Sequence, residues 1–105
     1  KAPSSSAQLK DVVRRAREIQ TDRFQKAGLK RLTNSELSSK ECEELIILTE
    51  EANELLKQIF NRSMLSVRGY YRILKTSRTI ADLEVSELVE APHVAEAFQL
   101  RIREE

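Results

Sequence analysis

Tryptophan is absent from this 105-residue chain, and cysteine, methionine and histidine occur once each, as Cys42, Met64 and His93. A lone cysteine excludes an internal disulfide and fits a reducing cytoplasm. One histidine and one cysteine in separate segments give neither a metal-ligand set nor a nucleophile with its base, so His93 reads as a first-turn residue and Cys42 as a small core residue. The two glycines, Gly28 and Gly69, are too far apart to form a loop that cradles phosphate. The carboxylate neighbours Glu43–Glu44 and Glu50–Glu51 diverge on a helix and read as solvated faces rather than acid–base pairs. Catalysis is therefore not expected of this chain alone. No run approaches the ~20 apolar residues needed to cross a membrane, and no secretory signal pattern is present.

What is present favours helices. Hydrophobic residues make up 40% and charged residues 33%, enough for a small core under polar outer faces in one domain. The net charge of +1 hides alternating blocks. Lys1 to Ser35 holds nine basic and three acidic residues, Glu36 to Phe60 two and seven, Asn61 to Ile80 five and none, and Ala81 to Glu105 two and seven. Successive helices of opposite sign packed side by side account for most of this pattern. They do not account for the cations gathered after Leu65.

The start at Lys1 and the polar stretch to Ser6, with Pro3 and three serines, read as a linker (residues 1–6) from an upstream domain, followed by one helical domain over 7–105. The spacing predicts about five helices. The first runs from Ser6 to about Lys26, with Leu9, Val12, Val13, Ala16, Ile19 and Phe24 inward, Ser5 and Gln8 as a capping pair, and Gly28 at its end. Leu29 to Ser35 forms a connection. Ser38 or Ser39 caps a short second helix to about Ile47, and Thr49 caps a third to about Arg62 with a stripe through Ala52, Leu55, Leu56, Ile59 and Phe60. Pro92 opens a fifth helix carrying Val94, Ala95, Ala97, Phe98 and Ile102. No period-2 alternation suggests a strand.

The fourth helix, capped by Ser66 and running to Leu83, carries the most information. Tyr70, Ile73, Leu74, Ser77, Ile80 and Ala81 share one sector, while Arg68, Arg72 and Lys75 fall opposite them at i, i+4, i+7. No acidic residue lies between Arg62 and Ile80 to pair with these cations along the helix. An apolar face backed by a cationic stripe points to a negatively charged partner. Gly69 is unexpected in the first turn, since glycine costs ~1 kcal/mol against alanine inside a helix.

Leu65-Ser66-Val67-Arg68-Gly69-Tyr70, Arg72-Ile73-Leu74, Ser77-Arg78-Thr79-Ile80-Ala81-Asp82-Leu83 and His93-Val94-Ala95-Glu96-Ala97 resemble the C-terminal helical domain of the magnesium-chelatase-related AAA+ ATPases. That family shows Leu-Ser-Ala-Arg-Ala-Tyr, Arg-Ile-Leu, Ala-Arg-Thr-Ile-Ala-Asp-Leu and His-Val-Ala-Glu-Ala. Val13, Ala16-Arg17, Gln20, Arg23, Asn34 and Leu37 extend the likeness upstream. The departures are Val67, Gly69 and Ser77, each in place of an alanine. The resemblance implies a lid that closes over ATP and Mg²⁺ held mainly by an upstream ATPase domain, in a parent protein that hydrolyses ATP. It maps the nucleotide-sensing arginine, sensor 2, onto Arg68, where a planar guanidinium binds phosphate oxygens as a fork beside a helix N-terminus. Arg72 and Arg78 are second candidates for phosphate, or pair with acids of the missing domain or a neighbouring subunit; a structural ion pair is a further alternative for Arg78. The implied partners are the upstream domain and the other subunits of a homo-oligomeric ring, a hexamer, with DNA or metal insertion as the work done. The rival reading is a stand-alone helical DNA-binding, adaptor or oligomerisation module, supported by Arg14, Arg15, Arg17 and Arg23 on the first helix.

Overall fold

The computed structural model describes residues 6–30 and 33–104, with only the backbone of Ser6, Arg103 and Glu104. Five helices carry the fold: α1 (Ser6–Lys26), α2 (Ser39–Leu45), α3 (Glu50–Arg62), α4 (Val67–Leu83) and α5 (Ala91–Glu104). A 3-10 turn, Asn34–Glu36, interrupts the connection expected between α1 and α2. The domain is all-α, with no strand among the described residues. One isolated parallel bridge joins Leu48 to Val89, where the Val89 N–H donates to the Ile47 carbonyl at 3.0 Å and Thr49 N–H donates to the Val89 carbonyl at 2.9 Å. Of the proposed linker, residues 1–5 lie outside the described residues, as does the Ser5 cap, and Ser6 already opens α1.

Local chemistry sets the helix ends. Gly28, at φ 72°, turns the chain after α1. Ser38, rather than Ser39, caps α2: its hydroxyl accepts from the Glu41 N–H at 3.1 Å while Glu41 accepts from the Ser38 N–H at 2.9 Å. α2 stops at Leu45, two residues before the expected end, because Ile46 turns extended and frees the Ile47 carbonyl for the bridge to Val89. Thr49 and Ser66 cap α3 and α4 through the Ala52 and Gly69 amides. At the start of α5, His93 Nδ1 accepts from the Glu90 N–H at 2.9 Å. That bond places the ring hydrogen on Nε2, which faces the Glu84 carboxylate at 2.8 Å.

α4 is the hub. It packs against α5, α1, α2 and the 3-10 turn, and α3 closes on α5. Ile73, Leu74, Ser77, Ile80 and Ala81 are buried, as their shared sector requires, and meet Phe24, Leu56 and Val94 in the core. Leu9, Ala95 and Ile102 do not join the core. Leu9 and Ile102 are each 53% exposed.

A buried charge network ties these elements together. The Asp82 carboxylate is wholly enclosed, and accepts from Arg23 Nη2 at 2.6 Å, Arg78 Nε at 3.1 Å and Asn34 Nδ2 at 3.0 Å. Asn34 also donates to the Thr79 hydroxyl at 3.0 Å. The rest of the Arg78 fork grips the Glu87 carbonyl at 2.9 Å and the Ser86 carbonyl. Burial pushes the Arg78 guanidinium below its usual value, opposed by Asp82. One carboxylate thus joins α1, the 3-10 turn and α4, and through Arg78 the α4–α5 loop. Asp82→Ala leaves Arg23 and the buried Arg78 without their carboxylate, and we expect urea denaturation to show a loss of roughly 3–5 kcal/mol.

The α4–α5 loop holds Val85 at φ 59°, a left-handed conformation that a β-branched residue rarely adopts. It is fixed there by Val85 N–H to the Asp82 carbonyl at 3.0 Å and Ser86 N–H to the Ala81 carbonyl at 2.8 Å, a helix-end arrangement that favours glycine. Val85→Gly should raise stability by about 1 kcal/mol, seen as a rise of several degrees in Tm.

Candidate anion-binding groove

The first turn of α4 contains no acidic residue. A helix start is electropositive, so Arg68 at the second helical position opposes the dipole at a cost of about 0.3–1 kcal/mol. An anion bound beside it reverses that sign. The Val67 and Arg68 amides, like those of any helix start, have no intrahelical acceptor.

Arg68 opens onto a groove of about 690 Å³ whose wall also includes Arg72, Lys75, Tyr71, Ser35 and Ser39. The helical stripe therefore converges on one concave surface with the hydroxyls of Ser35, in the α1–α2 connection, and Ser39, the first residue of α2. Arg68 is exposed, and among the described residues no hydrogen bond or ion pair reaches its guanidinium. Lys75 is anchored, donating to the Ser35 carbonyl at 3.3 Å and so fixing the groove's far rim. Tyr71 forms the side wall. Its hydroxyl donates to Glu43 Oε2 at 2.9 Å, a bond that holds the phenol above its usual pKa, and its ring meets Tyr70 edge-on at 5.1 Å. Arg72 borders both this groove and a cleft of about 90 Å³ shared with Arg101 of α5. A depression of comparable size, about 710 Å³, runs along α1, but all its lining residues belong to that one helix. The α4 groove, by contrast, combines three cations of α4 with hydroxyls from two other elements.

Gly69 packs closely against the end of Arg101. A methyl group at position 69 would lie 3.3 Å from Arg101 Nη2 and 3.4 Å from Leu65 Cδ2. The close neighbour is thus the end of a side chain, not a second backbone. Because that end can shift by a few tenths of an ångström, Gly69→Ala should stabilise the domain by about 0.5 kcal/mol through helix propensity, measured by thermal unfolding.

Arg78 lies outside the groove. Only 2% exposed, it is held by Asp82 and two loop carbonyls, an arrangement that leaves its guanidinium no open face for phosphate or another subunit. The basic first helix is also largely occupied: Arg14 pairs with Asp11 and Glu18, Arg15 with Asp11, and Arg23 with Asp82. Sequence reasoning missed the joint role of Arg23, Asn34 and Asp82. The i, i+4 spacing of Arg78 and Asp82 was the available signal; nothing in the sequence marked Asn34 as buried. Cys42 is buried, and burial raises its thiol pKa, as suits a core residue.

Comparison with known proteins extends over the same ground. Residues 3–101 match the family described as magnesium chelatase, subunit ChlI C-terminal. Over 97 residues the chain is 42% identical to competence protein ComM of Haemophilus influenzae, covering 92% of this chain and 18% of that protein. It is 35% identical to the uncharacterized protein YifB of Escherichia coli and 32% identical to that of Salmonella typhimurium, with the same coverage. The chain thus spans about a fifth of the length of these relatives.

Proposed function

The chain belongs to the magnesium chelatase subunit ChlI C-terminal family, and on that premise we propose that it is the helical lid of an AAA+ ATPase whose Arg68 senses the γ-phosphate of ATP. The observation that carries this reading is Arg68 itself: an exposed guanidinium, without a described partner, at the N-terminus of a 17-residue helix and on the wall of a cationic groove. Elsewhere in the fold Arg23 and Arg78 are matched by a buried carboxylate. A cation that opposes its own helix dipole and lacks a carboxylate is suited to a ligand's charge.

The groove's donor set fits phosphate oxygens. Arg68 supplies a planar fork, with Arg72 and Lys75 extending the positive field along the same face. Bound ATP supplies a phosphoanhydride whose cleavage removes the γ-phosphate. Arg68 then loses its acceptor, and the lid is released to move relative to the domain that holds the nucleotide. In this reading Mg²⁺ is held mainly by that other domain. The lid's movement passes to adjacent subunits of a hexameric ring, whose work is on DNA or metal insertion. Arg72 is the second phosphate contact.

In the full-length protein, Arg68→Ala should lower ATP turnover by at least about a hundredfold with assembly intact, and Arg68→Lys should restore only part of it because the fork is lost. Unchanged turnover in the folded, assembled alanine variant would remove Arg68 from the mechanism and move the role to Arg72. For the DNA-binding alternative, a salt titration of the 105-residue chain is decisive: tight, steeply salt-sensitive binding to duplex DNA would favour it over the lid.

A further inference from the structure

Gly69 is buried in the first turn of α4, where the missing side chain costs helix propensity. The guanidinium of Arg101, near the end of α5, occupies the space beside it. A methyl group at position 69 would meet Arg101 Nη2 at 3.3 Å and Cζ at 3.4 Å, so alanine would press the guanidinium away. Glycine here lets a cation of α5 lie against the start of α4.

Helical spacing puts Arg72, Ile73 and Thr76 on the side of α4 that carries Gly69, at i+3, i+4 and i+7. With Ala97, Leu100 and Arg101 of α5 they line the cleft of about 90 Å³. That is about three times the ~30 Å³ that one water takes in the liquid, and far below the roughly 300 Å³ at which pockets for whole small molecules begin. The cleft has room for one oxyanion group, not for a nucleotide. Ile73 and Ala97 are buried and supply apolar walls, while Arg72, Arg101 and Thr76 supply the donors. Two planar guanidinium groups and a hydroxyl are a donor set for a tetrahedral phosphate. Arg72 and Thr76 also line the groove that begins at Arg68, so the two spaces share a wall.

We propose that Arg101 is a further phosphate-binding residue: with Arg72 and Thr76 it holds the phosphate group next to the one that Arg68 senses, and Gly69 is the position that admits it. This rests on the nucleotide reading of the groove. The group held is one that survives cleavage of the phosphoanhydride, so Arg101 contacts ATP and ADP alike. On hydrolysis Arg68 loses its acceptor and Arg101 keeps its own. The lid then pivots about the product instead of parting from it. A contact made equally to substrate and product is uniform binding, which acts on KM and not on kcat.

Steady-state ATP hydrolysis by the full-length protein, with ADP as competing inhibitor, tests this assignment. Arg101→Ala should raise the KM for ATP and the inhibition constant of ADP together, by about tenfold or more, with a far smaller change in kcat. Arg68→Ala should do the reverse, losing kcat while ADP binds nearly as before. Gly69→Ala should weaken ATP and ADP severalfold although it raises the thermal midpoint, a pairing that a purely structural role would not give. In the Arg101→Ala background the same glycine substitution should cost no further affinity. Unchanged constants for Arg101→Ala, or a Gly69→Ala loss that persists without Arg101, would overturn the proposal while a damaged Arg68→Ala variant left the nucleotide reading standing. An Arg68→Ala variant that also behaves as wild type would overturn both.

Discussion

Everything in this domain hangs on the Asp82 carboxylate. A fully enclosed carboxylate is tolerable only when its charge and lone pairs are met, and here two arginines and an asparagine from three elements meet them. That requirement sets where α1 crosses α4, pulls the Asn34 turn against Thr79, and keeps Arg78 gripping the α4–α5 loop. The hydrophobic core supplies the driving force for folding; the buried network selects one arrangement of helices that each have several ways to pack.

The groove inherits its shape from this arrangement. Because the Asn34 turn is pinned to the C-terminal half of α4, Ser35 lies close enough for Lys75 to reach its carbonyl, and the rim opposite Arg68 is set. α4 therefore carries two populations of cations with different duties. Its C-terminal half holds Arg78, desolvated and matched. Its N-terminal half holds Arg68, solvated and set against the helix dipole. A fold optimised for stability alone would place an acid in that first turn. Val85 is likewise held in a conformation that glycine would suit better.

How much of this was legible in the sequence depends on which physical signal each feature leaves. The helices were legible because their apolar spacing and caps are local: the Thr49 and Ser66 caps and the buried sector of α4 follow from residues within one turn of each other. The convergence of Arg68, Arg72 and Lys75 on one face was legible for the same reason, although the groove's other wall, Ser35 and Ser39, was not. Asn34 and Arg23 stayed hidden because their partner lies 48 and 59 residues away, and polar residues carry no periodic mark of burial. His93 read as an ordinary first-turn residue, yet it caps α5 and reaches Glu84, because its imidazole replaces the acceptor usually supplied by a carboxylate or amide. The early end of α2 at Leu45 was set by backbone pairing with Val89, a contact that no local rule contains.

The central claim is a division of labour between two arginines of one helix, Arg68 for a ligand and Arg78 for the fold. The most direct test measures the denaturation midpoint and the ATP turnover of the full-length protein for Arg68→Ala and Arg78→Ala side by side. The account predicts that Arg68→Ala keeps the domain's stability within about 0.5 kcal/mol of wild type while turnover collapses, whereas Arg78→Ala lowers the midpoint because Asp82 loses one of its two arginines and the Ser86 and Glu87 carbonyls lose their donor. An Arg68→Ala variant that hydrolyses ATP normally, or an Arg78→Ala variant that unfolds no more readily than wild type, would contradict it.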